Sequence, residues 1–347
     1  MAYTTINKGS DHFNTKLYVA NTTDATDITG VGFQPDWVWI HNRTQSVNSL
    51  IYDVVRGATY DIAANQAAAQ NTSTDGLQAF IADGFTHGNG WGNQSTGDNY
   101  VAWCWKTQNA QGSSNTDGSI NTTYTSVNTA AGISISTYEG TGSVATIGHG
   151  LGAVPEMIII KNIDASQNWL VYHKDLGATK YLRLNLYNAS GTSSAVWNDT
   201  APTSSVFTVG TDGAVNGNGQ THVAYCFRSI QGYQKCGVYT GNGAADGTFI
   251  YTGFKPAMMF FKKTSGSVAN WQWWDNKRDT DNPVENAYHP DSNDADGSPD
   301  QDIDFVSNGF KIRSNQHHLN NSGTTYIYYA VAEVPLVGTN NVPCTAR

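Results

Sequence analysis

A dense group of carboxylates in the last third of the chain is the first candidate for chemistry. Asp291, Asp294 and Asp296 follow one another closely in a segment rich in Gly, Ser and Asn. Ca²⁺ takes six to eight oxygen ligands, so such a loop could hold it. The EF-hand spacing fails, because the twelfth position of a loop starting at Ser292 is Ile303 rather than Glu. The composition favours a solvated acidic loop without a metal, and Ca²⁺ at these three residues is kept as the alternative.

Catalytic carboxylates are not indicated. Asp53 and Asp275 occupy equivalent places in the first and last copies of an internal repeat, but the middle copy has His173 there. A glycoside hydrolase needs two carboxylates about 5–10 Å apart, and nothing in the sequence places a second acid beside either one. The nucleophile-elbow, P-loop, dinucleotide-binding and H-E-x-x-H patterns are also missing. We therefore predict a protein that is not an enzyme, with no catalytic residue and no cofactor.

Several tryptophans near turns, or in strands flanked by polar residues, suggest a sugar-binding surface, because aromatic rings stack on the C–H faces of sugars. Trp273 and Trp274 are adjacent in the sequence. Because side chains alternate between the two faces of a strand, one of these two rings must face the core. Burial in the core and oligomer contacts are the alternatives for the whole group. The predicted carbohydrate-binding residues are Trp91, Trp169, Trp271 and Trp274.

An internal repeat must position all of these residues. Pro35, Pro155 and Pro256 each precede an apolar run, and Tyr52, Tyr172 and Trp274 follow their prolines by 17, 17 and 18 residues. A turn with Phe85, Phe207 or Phe310 comes next, and each copy ends in a closing strand. The post-proline runs are apolar on both faces, which is typical of strands buried on both sides. We expect one face on the core and the other beneath a loop, a neighbouring repeat or another subunit.

The closing strands are expected to have one small and one bulky face. Ala102 and Cys104, Ala224 and Cys226, and Ala330 and Ala332 form the small face in this alignment. A cysteine that can be exchanged for alanine indicates a buried filler, and no Cys/His spacing indicates zinc or a disulfide framework.

These patterns predict an all-β protein of three tandem antiparallel β-sandwich domains, of the jelly-roll or concanavalin-like type. The expected divisions are repeat one (1–118), a linker strand with repeat two (119–229), repeat three (230–335) and a tail (336–347). The linker strand is expected near residues 122–125. The Ala-rich segment 63–70 is compatible both with a short helix and with an irregular turn, and the sequence does not choose between them.

Composition limits the partners. The 347-residue chain has a net charge of −9 and only 14% charged residues, with 12% aromatics. Without a cluster of Lys and Arg, nucleic-acid binding is not expected, and the negative charge disfavours anionic membranes. No apolar run approaches the roughly 20 residues of a membrane span, and residues 1–8 lack the apolar core of a signal peptide. Synthesis in a cytoplasm is expected.

The first repeat resembles a repeat found in virion proteins of tailed phages, especially marine phages. The resemblance is carried by residues 32–43 (GFQPDWVWIHNR), Tyr52-Asp53, 56–59 (RGAT), 83–85 (DGF) and 97–106 (GDNYVAWCWK), and extends to the tail, 335–347. It implies concanavalin-like sandwiches in a fibre, spike or decoration component, and it supplies no catalytic residues.

The expected function is that of a virion structural protein in a tail fibre, spike or other appendage, with a role in host attachment through a surface glycan. The expected partners are other virion proteins and a host glycan, with no nucleic acid and no membrane. A homotrimer and a single chain that imitates a trimer are both open. The alternatives are a head decoration or vertex protein that binds no receptor, and a carbohydrate-active hydrolase. The expected location is the virion.

Overall fold

The protein is almost entirely β-structure. The computed structural model describes residues 3–21, 23–90, 97–297, 302–340 and 342–343. In this part of the chain strands make up 42% and helices 5%, arranged as several antiparallel sheets. The all-β sandwich class predicted from the sequence is therefore confirmed, whereas the division into independent domains stays a prediction. None of the helices described is long and apolar enough to cross a membrane.

Repeat one has a large and a small sheet. The large sheet has the strand order β1-β9-β3-β4-β5-β6, and the small sheet has the order β2-β8-β7. The strands are β1 (Phe13–Val19), β2 (Thr26–Thr29), β3 (Trp37–Asn42), β4 (Leu50–Asp53), β5 (Gly57–Ala63), β6 (Asn71–Thr72), β7 (Leu77–Ile81), β8 (Gly84–His87) and β9 (Asn99–Trp105). Residues 64–70 form a turn and irregular chain rather than a helix.

Repeat two follows the same plan, with the orders β10-β11-β18-β13-β14-β15-β16 and β12-β17. Its elements are β10 (Tyr124–Asn128), β11 (Ile133–Glu139), β12 (Ala145–Gly148), β13 (Met157–Asn162), β14 (Leu170–His173), β15 (Lys180–Arg183), β16 (Gly191–Thr192), α1 (Ser194–Trp197), β17 (Val206–Val209), α2 (Gly213–Asn216) and β18 (Thr221–Phe227). The expected linker strand is present as β10, at the edge of the large sheet.

Repeat three has the orders β19-β25-β21-β22 and β20-β24-β23. Its elements are β19 (Gln234–Thr240), β20 (Phe249–Tyr251), β21 (Phe254–Lys263), β22 (Gln272–Asp275), β23 (Ile303–Val306), β24 (Gly309–Ile312), α3 (His317–Asn320) and β25 (Thr325–Pro335). Pro256 lies inside β21 at a break in register with β25. A proline cannot donate to the ladder, and a bulge accommodates it.

Strand register defines which residues are equivalent. Trp37 pairs with Trp105, Met157 with Phe227 and Met258 with Val331. One residue further along, Val38, Ile158 and Met259 pair with Cys104, Cys226 and Ala330. Cys104 therefore corresponds to Ala330 rather than Ala332, and Ala102 corresponds to Tyr328. The expectation of a small face in all three closing strands is wrong for repeat three.

The bulky faces of the three large sheets pack against one another. One hydrophobic core runs through all three repeats, and their equivalent side chains meet at a common centre. The opposite faces of the large sheets in repeats one and two pack beneath their own small sheets. The post-proline strands of repeats one and two are thus covered on both faces, by the neighbouring repeats on the inner face and by the small sheet of their own repeat on the outer face. The central side chains are Trp37, Trp39, Trp105, Met157, Ile159, Phe227, Met258, Phe260, Trp273 and Tyr329.

Candidate functional site: a ring of three inter-repeat junctions

Three equivalent backbone hydrogen bonds join the repeats in a closed ring. The N–H of Gln70 donates to the carbonyl of Ile163 at 2.9 Å, which joins repeat one to repeat two. The N–H of Ser190 donates to Thr264 at 3.1 Å, which joins repeat two to repeat three. The N–H of Asp296 donates to Arg43 at 3.2 Å, which returns from repeat three to repeat one. The donors are equivalent to one another and so are the acceptors, so the chain has pseudo-threefold order.

A basic side chain reinforces each junction at the sixth residue after the marker proline. Lys161 Nζ donates to the carbonyl of Ala67 at 3.1 Å, and Lys262 Nζ donates to the carbonyl of Tyr187 at 2.9 Å. His41 Nε2 lies 3.3 Å from Asp296 Oδ1. Burial lowers the pKa of both lysines to about 8, because the charged amine loses its hydration. The position could have been recognised in the sequence, since all three copies carry a basic residue there.

Tryptophan side chains connect two of these junctions. Trp169 Nε1 donates to the carbonyl of Ala63 in repeat one at 3.2 Å, and Trp271 Nε1 donates to the backbone carbonyl of Arg183 in repeat two at 2.8 Å. Trp169, Trp271 and Trp274 are fully buried. The expectation that their rings face solvent and bind a carbohydrate is therefore wrong. Trp169 and Trp271 are buried against a neighbouring repeat, and Trp274 stacks on Phe261 inside repeat three. Trp91 lies outside the described residues.

A buried aspartate and arginine three residues apart support the junction between repeats one and two. Arg56 Nε donates to Asp53 Oδ2 at 2.6 Å, and Tyr225 of repeat two donates its hydroxyl to the same oxygen at 2.7 Å. Arg56 also bonds the side chain of Gln70, the residue whose backbone closes this junction. Asp53 is thus held by two side chains in a site without solvent access.

The junction between repeats three and one also contains a buried aspartate and arginine three residues apart, together with further charged side chains. Arg278 Nε donates to Asp275 Oδ2 at 2.6 Å, and Trp103 Nε1 of repeat one donates to that oxygen at 3.1 Å. Arg278 also pairs with Asp296 at 2.9 Å, and Arg43 pairs with Asp296 at 2.5 Å. Burial alone would raise the pKa of Asp296, but Arg278, His41 and Arg43 together hold that pKa below its usual range. Burial also lowers the pKa of His41.

These contacts correct the Ca²⁺ alternative. Asp296 is occupied by two guanidinium groups, Asp291 accepts from the backbone N–H of Trp271, and Asp294 accepts from Ser292. Within the described ranges no group of three or more His, Cys, Asp or Glu side chains could hold a metal ion. Burial raises the pKa of Asp291 to about 7, which further weakens it as a ligand.

In repeat two an uncharged residue occupies the position that Asp53 and Asp275 hold in the other two repeats. His173 replaces the aspartate, and Leu176 stands where the other two repeats have arginine. The Nδ1 of His173 accepts a hydrogen bond from the backbone N–H of Asp175 at 3.3 Å, and its ring faces the backbone of Tyr328 in repeat three. Burial lowers the pKa of His173 to about 4, so this histidine is neutral at pH 7.

Lowering the pH is expected to decrease the free energy of unfolding through the protonation of His173. Its folded-state pKa of about 4 lies below the unfolded value of about 6.5, so the unfolded state binds a proton first as the pH falls. Its stabilisation is present above pH 6.5 and is lost as the pH falls towards 4. Between pH 7 and pH 4.5 this one group should lower the free energy of unfolding by about 2 kcal/mol. His173→Gln should reduce the acid-induced loss by that amount in urea titrations at the two pH values. An unchanged acid-induced loss in the variant would contradict this role.

The fold and the junctions define the class of protein: an all-β chain in which three similar but non-identical sets of antiparallel sheets pack around one centre. The family model described as "Domain of unknown function (DUF7483)" matches residues 8–335, and the chain belongs to that family. No curated protein matches the sequence.

Proposed function

We propose that this chain is a structural component of a virion, in a tail fibre, spike or other appendage, and takes part in host attachment. The observation that carries the proposal is the closed ring of equivalent junctions. Cyclic assemblies normally need three subunits to close such contacts. Here one covalent chain supplies all three hydrogen-bonded junctions, which suits a building block that must keep its shape under load.

The sequence supports the same proposal. The segments 32–43 and 97–106, which carry the resemblance to phage virion repeats, supply β3 and the closing strand β9 of the large sheet. These two strands provide Trp37, Trp39 and Trp105 to the shared core. The conspicuous aromatic residues of the motif are therefore explained by packing between repeats, as a structural component requires.

Head decoration is the second candidate function, because pseudo-threefold order also fits a chain that covers a threefold position of a capsid. A hydrolase is disfavoured. Asp53 and Asp275 are both fully buried, and each is paired with an arginine and held by a donor from another repeat. Neither carboxylate can reach a substrate.

Immunogold labelling of intact particles tests the proposal. Antibodies against the purified chain should label tail appendages. Label restricted to the head would replace the appendage with the decoration function. An absence of label, together with absence of the chain from denatured particles by mass spectrometry, would overturn both.

A further inference from the structure

An open cleft of about 590 Å³ lies on repeat one. It extends from the outer edge of the large sheet to the segment that follows β6, and Leu50 and Asp61 lie on its sheet side. We propose that this cleft binds a neutral saccharide and is the attachment site of the protein. The inference deepens the proposed attachment function and rests on it.

The cleft exists because repeat one has small side chains where repeat two has large ones. Strand register makes Asp61 equivalent to Tyr181, and Ala63 equivalent to Arg183. In repeat two the Arg183 guanidinium lies over the Tyr181 ring, 5.0 Å from its centroid, and donates to its hydroxyl at 3.0 Å. This stacked pair occupies the equivalent space. Asp61 and Ala63 are smaller than this pair and leave the space open.

The polar lining matches a ligand with many hydroxyl groups. Side-chain amides, hydroxyls and carboxylates can each donate to or accept from sugar hydroxyls. Asn71 Nδ2 donates to Asp61 Oδ2 at 3.2 Å and so orients this carboxylate. Asn65 Nδ2 donates to Asn48 Oδ1 at 2.9 Å and orients the Asn48 amide in the same way. The polar residues that line the cleft include Asn48, Asp61, Gln66, Asn71, Thr72 and Asp75.

Charge selects among such ligands. Two carboxylates line the cleft, and none of its lining residues within the described part of the chain is basic. A phosphate, sulfate or sialic acid group would meet like charge without a counter-ion, which disfavours anionic ligands. Polar groups along much of the wall likewise disfavour a purely apolar ligand, because they would lose water without gaining partners.

The volume and the apolar lining of the cleft also fit a small saccharide. The volume lies within the range of about 300–1,000 Å³ typical of small-molecule sites, and Leu50, Ala63, Ala68 and Ala69 provide apolar surface for sugar C–H groups. Among the residues that the structure describes, the lining includes no aromatic ring on which a sugar could stack. We therefore expect a dissociation constant on the order of 1 mM for a single sugar, and tight attachment through many copies on one particle.

Saturation-transfer NMR with the full chain tests the cleft. The probes are the methyl glycosides of glucose, galactose, mannose and N-acetylglucosamine, with sialic acid as the anionic comparison. At least one neutral glycoside should give a signal and sialic acid should give none. Ala63→Arg, which copies the filling residue of repeat two, and Asn71→Ala, which frees Asp61, should both lose the signal. Val154→Arg, at an exposed position of repeat two, should keep it.

The outcomes separate this inference from the proposed function. No signal from any neutral glycoside, or a signal that survives both cleft variants in folded protein, would overturn the cleft even if particles carry the chain. A signal for sialic acid alone would overturn the charge argument and with it the inference. A cleft-dependent signal for a chain absent from particles would support the saccharide site and refute the virion function. Thermal melts establish that each variant is folded.

Discussion

Trp103→Ala is expected to lower the free energy of unfolding by about 3–5 kcal/mol, the usual cost of truncating a buried large aromatic side chain. Trp103 is fully buried, and its ring lies 4.4 Å from that of Trp273 and 5.1 Å from that of Tyr288, centroid to centroid. The substitution also removes the indole donor to Asp275. Both neighbouring rings belong to repeat three, so the cavity would open in a junction. Urea unfolding at pH 7 measures the change.

Two controls separate the ring from its hydrogen bond. Trp103→Phe retains much of the aromatic packing and removes the donor, so an intermediate loss is expected. Tyr187→Ala removes a side chain that is 52% exposed and should change stability by less than about 0.5 kcal/mol. If Trp103→Ala cost no more than Tyr187→Ala, the junction would contribute little to stability.

Arg278→Met is expected to cost about 3–5 kcal/mol, as for other buried ion pairs that lose one partner. Arg278 is fully buried at its side chain and contacts both Asp275 and Asp296. Its removal leaves Asp275 with the Trp103 donor and backbone N–H groups, and leaves Asp296 with Arg43 and His41. Unfolding titrations at pH 7 measure the loss.

The matched control is Lys311→Met, which breaks a pair with the largely exposed Asp246. Exposed ion pairs contribute at most about 1 kcal/mol, so a small change is expected there. The double variant Arg278→Met with Asp275→Asn should recover part of the loss, since the amide removes the unpaired buried charge and its oxygen can still accept from the backbone N–H groups that Asp275 binds. A double variant less stable than Arg278→Met would contradict the electrostatic explanation.

The repeat could be derived from the sequence because packing constraints recur at fixed spacing. The marker prolines correctly aligned Asp53, His173 and Asp275, which pair with Trp37, Met157 and Met258. The two-faced apolar runs correctly predicted strands covered on both sides. The closing strand of repeat three was misaligned by two residues because Ala330 and Ala332 lie at alternate positions of the long strand β25, and alternation alone does not choose between registers that differ by two.

The candidate sites were harder to predict because their environment comes from distant parts of the chain. Trp169 and Trp271 are flanked by polar residues, yet the residues that cover them lie in another repeat. Asp296 is in an acidic loop, and Arg43, which neutralises it, is about 250 residues earlier. No sequence motif marks the cleft on repeat one, because the cleft forms where the side chains of Asp61 and Ala63 are too small to fill the space.

Covalent fusion has a consequence for how such a ring can diverge. In a homotrimer every substitution appears three times, so a change tolerated at one junction must be tolerated at all of them. In this chain the three junctions are separate stretches of sequence. One can carry five charged or titratable groups while another has a neutral histidine, and one outer edge can open into a cleft while its counterpart stays filled. A ring of this kind is free to be asymmetric, with a single recognition face on an otherwise threefold body.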